Sequence, residues 1–111
     1  MYRAQGRMEG ILRRMVRRIV QRFHPEGIIL FGSHARGDAG PDSDVDLLVV
    51  MPVEGSKREM RIAIGLALAS FGVPLDIMLT TPEELESRRH IPGTIERPAT
   101  LEGKVLYERA R

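Results

Sequence analysis

Gly32-Ser33-His34-Ala35-Arg36-Gly37, then Ser43-Asp44-Val45-Asp46-Leu47-Leu48-Val49-Val50, is the stretch on which the fold turns. Ahead of it, Gly27-Ile28-Ile29-Leu30-Phe31 is a short apolar run ending on a glycine, the pattern of a buried strand. Between the two halves, Gly37 to Ser43 (Gly-Asp-Ala-Gly-Pro-Asp-Ser) is dense in turn formers and reads as a loop. Asp44 to Val50 reads as a second strand closed by Pro52, and the unbroken Leu48-Val49-Val50 makes it a central one.

Residues two apart on a strand share a face, so Asp44 and Asp46 project together with backbones about 6.6 Å apart, while Val45 and Leu47 turn to the core. Two ionised carboxylates at the mouth of a buried strand repel by about 4 kcal/mol at a separation of about 4 Å and an effective dielectric of about 20. A divalent cation is the simplest offset. Mg²⁺ suits it, taking one or two carboxylates and completing its shell with phosphate oxygens and water. The other half of the stretch supplies the phosphate end. Gly32 lets the chain turn sharply with no Cβ in the way. Backbone N–H groups at Gly32-Ser33 and the following turn, with the Ser33 hydroxyl, can point at an anion, and Arg36 can neutralise phosphate charge bidentately. Either half alone is common, since most Gly-Ser pairs are plain turns and Asp-x-Asp recurs on surface strands. Joined by ten residues, each at the end of a strand, they are the equipment of metal-assisted phosphoryl or nucleotidyl transfer.

On the N-terminal side, Met8, Ile11, Leu12, Met15, Val16, Ile19, Val20 and Phe23 form one apolar stripe at helical spacing, predicting an amphipathic helix over about 8–23. Arg13, Arg14, Arg17, Arg18 and Arg22 line its other side, and His24-Pro25 stops it. That arginine face is either simply solvated or a docking surface for an acidic partner. With only Tyr2 and Phe23 nearby, it offers no base-stacking platform, which argues against direct nucleic-acid binding. On the C-terminal side, Ser56 with Glu59 caps a helix running to about Ser70, with Gly72 behind it. Val73 to Leu79 is a third strand, which closes a core over about 27–80. Thr81-Pro82-Glu83-Glu84 starts a helix that fades near Arg89-His90. Pro92, Gly93 and Pro98 break up the tail, and Val105-Leu106-Tyr107 is a last short strand, so a helix and strand occupy about 82–107. Strands alternating with helices predict an α/β (α+β) architecture, one small mixed sheet flanked by helices in a single domain over 1–111.

The composition fits. The 111 residues carry 17 Lys+Arg and 15 Asp+Glu, with 42% hydrophobic residues, as in a globular chain. The absence of cysteine excludes disulfides, thiolate catalysis and Cys-ligated metal. No apolar run is long enough to span a membrane and no signal-peptide pattern stands at the start, so the expected location is the cytoplasm. His24 and His90 lack ligand-spaced partners, and His34 reads as a tolerated side chain in the turn. Tyr107 reads as packing, or as a hydroxyl near the chain end able to accept a nucleotidyl group.

Gly32-Ser33-x10-Asp44-x-Asp46, with Ala35-Arg36-Gly37 inside it, resembles the signature of the polymerase-β-type nucleotidyltransferase superfamily, and in particular the minimal nucleotidyltransferase (MNT) proteins of prokaryotes. The resemblance implies a polymerase-β-type nucleotidyltransferase core. It implies that Asp44 and Asp46 bind two Mg²⁺ ions, and that Asp76, the matching acid on the third strand, binds the catalytic metal and helps deprotonate the incoming hydroxyl. Gly32 and Ser33 would hold the β- and γ-phosphates of a nucleoside triphosphate, expected to be ATP. Relatives that modify small molecules add an acceptor domain, and the roughly 30 residues beyond the third strand are too few for one. A partner protein is therefore the expected acceptor. The family pairs such chains with a HEPN-domain ribonuclease toxin, which they neutralise as antitoxins by transferring AMP to a tyrosine. The alternatives are a small-molecule nucleotidyltransferase completed by oligomerisation, and a nucleotide-binding antitoxin that acts by occlusion without catalysis.

Overall fold

Eight of the apolar positions between Met8 and Phe23 do fall on one side of a helix, and that helix organises the first layer. The computed structural model describes residues 3–110; Tyr2, named above as a neighbour of the first helix, lies outside them. Helix α1 runs over Arg3–Phe23 and buries Leu12, Met15 and Ile19, with Met8, Ile11, Val16, Val20 and Phe23 packed alongside. It begins earlier than the stripe predicts, because Arg3 to Arg7 continue the helix without contributing to the apolar pattern. It ends where expected: His24 adopts a left-handed φ of 51° immediately before Pro25.

Strand β1 (Gly27–Phe31), the single-turn helix α2 (Ser33–Arg36) and strand β2 (Val45–Val50) follow. Helix α3 (Lys57–Leu68) starts on Ser56, whose hydroxyl accepts from the Glu59 amide at 3.2 Å, and passes through a 3₁₀ turn at Ala69–Phe71. Strand β3 (Leu75–Thr80) leads to helix α4 (Pro82–Arg88), capped by reciprocal hydrogen bonds between Thr81 and Glu84. Helix α5 (Glu96–Glu102) and strand β4 (Lys104–Glu108) complete the order. Helix α5 was not expected, because Pro98 reads as a breaker. Pro98 occupies the first turn, where a missing N–H leaves no helical hydrogen bond unmade.

The sheet is mixed, in the order β3-β2-β1-β4: β2 is antiparallel to β1 and parallel to β3, and β1 is antiparallel to β4. Strict alternation sorts the core between its two faces. Ile28, Leu30, Val45, Leu47, Val49, Ile77 and Leu79 belong to the cluster under α1 and α3. Ile29, Phe31, Leu48 and Val50 pack with Ala99 of α5 on the other face. There Thr80 Oγ1 donates to the buried Glu96 Oε2 at 2.7 Å and ties the end of β3 to the start of α5. Among the described residues, no helix is long and apolar enough to cross a membrane.

Candidate active site

The turn out of β1 is built around a position only glycine can fill. Gly32 has φ 73° and ψ −156°, a region essentially closed to residues with a side chain. A Cβ there would stand 2.1 Å from Asp46 Oδ2, so the Asp46 carboxylate lies directly against the Gly32 backbone. From Gly32 the chain enters α2, where the Gly32 carbonyl accepts from the Ala35 and Arg36 amides and the Ser33 carbonyl from Gly37 and Asp38. His34 Nε2 lies 3.2 Å from the Ser43 carbonyl, linking this turn to the residue before Asp44. Read from sequence as a tolerated side chain, His34 instead connects both halves of the motif.

Strand β2 begins at Val45, not Asp44 as expected, and Val45 N donates to Pro74 O at 2.8 Å. Asp44 is therefore an exposed residue at the mouth of the strand, whereas Asp46 is half-buried within it. The central placement of β2 agrees with its sequence. Asp46 pairs with Phe31 on β1 and with Asp76 on β3. Asp46 and Asp76 thus stand side by side on adjacent parallel strands, about 4.8 Å apart at the backbone and facing the same way. Burial first, then the Asp76 and Asp44 charges, raise the Asp46 carboxyl above the ordinary carboxylate range, while His34 and Arg36 pull it back.

Crowding of the half-buried Asp46 carboxylate by the Asp76 and Asp44 charges would be relieved by a cation, and an all-oxygen donor set suits a hard ion such as Mg²⁺. Among the described residues no three acidic, histidine or cysteine side chains form a ready-made metal cage. The carboxylates fit an ion whose shell is completed by substrate oxygens and water, the habit of Mg²⁺.

Arg36 stands close by, its Nε 3.3 Å from Asp38 Oδ2 and its Nη1 3.7 Å from Glu102 Oε2. Both are exposed pairs, worth at most about 1 kcal/mol each and readily exchanged for a phosphate. The arginine face of α1 lies on the opposite side of the sheet from Asp46, with part of it engaged internally. Arg14 and Arg18 lie 5.4 and 4.5 Å from the Phe71 ring centroid, and Arg18 Nη1 donates to Ala67 O and Ser70 Oγ. Tyr107 is half-buried against the core and pairs with Ile28, as a packing residue does.

A cationic feature went unread in the sequence. Lys57, Arg58, Arg61 and Arg88 converge on an open cleft of about 520 Å³ beyond β3, with Met78 and Thr94 also on its walls. Neither Gly32 nor Asp46 lines it. Its signal was the Lys57, Arg58, Arg61 spacing on α3, eclipsed by that helix's core-forming role.

Residues 12–100 match the nucleotidyltransferase domain family. A curated protein of Methanocaldococcus jannaschii, provisionally named a protein adenylyltransferase, is 37% identical over 83 residues, 72% of this chain and 76% of that one. A solved, provisionally assigned nucleotidyltransferase from Sulfolobus solfataricus has a TM-score of 0.61 at 24% identity, over 96% of this chain and 86% of its own. A toxin–antitoxin structure with AMP-PNP has a TM-score of 0.64 at 21% identity, over 87% of this chain and 73% of its own. The two structural likenesses bear on the fold.

Proposed function

The chain belongs to the nucleotidyltransferase domain family, and from that premise we propose that it transfers AMP from ATP to a hydroxyl, that of a tyrosine, on a partner HEPN-domain toxin, and so acts as an antitoxin. The observation that carries this reading is the in-register pairing of Asp46 with Asp76 beside Gly32. Gly32 and Ser33 hold the β- and γ-phosphates through backbone amides and the serine hydroxyl. Arg36 leaves its surface carboxylates to neutralise phosphate charge. Asp44, Asp46 and Asp76 would hold two Mg²⁺ ions. When bound, these supply positive charge against the attacking and leaving oxygens.

In the reaction, the acceptor oxygen bonds to the α-phosphorus as the bond from that phosphorus to the bridging oxygen breaks. Pyrophosphate leaves, and the hydroxyl proton passes to Asp76 or through it to water. The reaction belongs in the cytoplasm, where its triphosphate substrate is. Support for a protein acceptor comes from the name of the M. jannaschii relative, and support for a toxin from the structural neighbour solved as a toxin–antitoxin complex.

The test is incubation with α-labelled ATP, Mg²⁺ and the HEPN protein of an adjacent reading frame. Label should move to that protein with the native chain and not with the Asp44→Ala/Asp46→Ala variant. A stable complex without label transfer would reject the reading, and toxin neutralisation by the double variant would favour occlusion.

A further inference from the structure

Among the described residues, strand β3 is an edge strand whose single neighbour is β2. The Pro74 and Thr80 carbonyls accept from Val45 and Met51 on the β2 side. By the alternation of a parallel ladder, the amides and carbonyls of Leu75, Ile77 and Leu79 therefore point out of the sheet. The opposite edge, β4, is blunted by a register shift opposite Ile28/Ile29 and by Lys104 and Glu108. β3 has no such guard, and its one charged residue is Asp76.

A groove of about 400 Å³ runs between that edge and α3, with Arg61, Ile62, Gly65 and Ala69 on one side and Asp76 and Ile77 on the other. A Cβ on Gly65 would meet no heavy atom within 4 Å, so the floor is open. Ile62 and Leu66 are 49% and 72% exposed on the same helix that fully buries Ile64 and Leu68. Among the described residues, Arg58 and Arg61 make no ion pair with any carboxylate.

We infer that this edge receives an extended segment of the acceptor protein, added as a further strand to β3, with apolar side chains entering the groove and acidic ones meeting Arg58 and Arg61. The inference rests on the reading above that the acceptor is a protein. The outward backbone groups of β3 supply hydrogen bonds for any sequence, and the groove and its cations select among sequences. A second copy of this chain fits less well, since its own β3 would offer two arginines a single acid, Asp76. A segment lying along β3 passes Asp76, so the acceptor hydroxyl is delivered to the carboxylate proposed to take its proton.

The experiment measures binding of the full chain to immobilised tyrosine-containing peptides about 10 residues long, enough to span a strand. One series alternates Val or Ile with Asp or Glu, a second carries the same residues in blocks, and a third replaces the acids by Lys. The alternating acidic series should bind about tenfold tighter than either control, a difference of about 1.4 kcal/mol. Ile62→Asp and Gly65→Met should each abolish that preference. Gly65→Met fills the groove and strengthens the helix, so its higher melting temperature separates blocked docking from a damaged fold. Amide exchange at Leu75, Ile77 and Leu79 should slow about tenfold in the peptide complex. Equal binding of the three series, or unchanged exchange, overturns the inference. So does protection of these amides in the chain alone that grows with its concentration, which would make a second copy the occupant. Preference for the alternating series without label transfer to any protein would uphold the groove and reject adenylyl transfer. Label transfer indifferent to Ile62→Asp and Gly65→Met would do the reverse.

Discussion

Asp46→Asn should make the fold more stable while disabling the site. The Asp46 and Asp76 backbones are about 4.8 Å apart, and two charges about 5 Å apart interact by about 3 kcal/mol at an effective dielectric of about 20. Asp76 is exposed and Asp46 only half-buried, so solvent reduces this to about 1 kcal/mol. Among the described residues, the Asp46 side chain makes no hydrogen bond that asparagine would lose. The variant should therefore melt about 4 °C higher than the native chain at neutral pH in EDTA, with transfer activity down about a hundredfold or more. The sign of the pH dependence follows from the raised Asp46 pKa. The folded chain holds that proton more tightly than the unfolded chain, whose pKa is the ordinary 3.8. The penalty is complete above the raised value, shrinks as pH falls through it, and is gone below the unfolded value. Thermal melts by circular dichroism from pH 7.5 to 3.5 should show the gap closing on acidification. Added Mg²⁺ should raise the native melting temperature more than that of the variant. Equal or lower melting of Asp46→Asn at pH 7.5, or a gap that widens in acid, would refute the reasoning.

Gly32→Ala should lose about 2 kcal/mol in urea titrations, since its φ and ψ lie in glycine-only space. It should also lose transfer activity, because the new methyl displaces the Asp46 carboxylate; full activity in this variant would contradict the geometry. Glu84 is held down to about 2 by the Lys57 hydrogen bond and the Thr81 amide, against a small effect of burial. A lowered carboxylate stabilises the fold above its unfolded pKa of 4.5, and that contribution disappears as pH falls from there to about 2. The full displacement corresponds to about 3 kcal/mol; the half-exposed Lys57 reduces it to about 1 kcal/mol. Acid-titrated melts of Glu84→Gln, which keeps the capping hydrogen bonds, should converge with the native chain near pH 2.

The strands and the glycine turn were legible because their signals are local. Alternation marks Asp46 against Val45 and Leu47, and Gly32 stands where an apolar run stops. Asp76 was reached only through the resemblance, since one acid in Leu-Asp-Ile-Met carries no spacing of its own. The α1 stripe told which side of that helix is buried, but a pattern within a helix cannot say which face of a sheet it will cover. Its arginines consequently lie across the sheet from Asp46. Helix α5 was hidden by Pro98, whose meaning depends on whether it opens a helix or interrupts one. The exposed Ile62 and Leu66 resemble core residues in the sequence, and only packing shows that the described residues leave them largely uncovered.

The alignment of Asp46 with Asp76 depends on β2 and β3 lying in one particular register. Sliding β3 by a single position would send Asp76 under α3 among Ile64 and Leu68, and would turn Ile77 out toward the Asp46 side. Such a slip loses the core packing and the Asp46–Asp76 pairing together. The register that seats Ile77 and Leu79 in the core is the one that seats Asp76 beside Asp46.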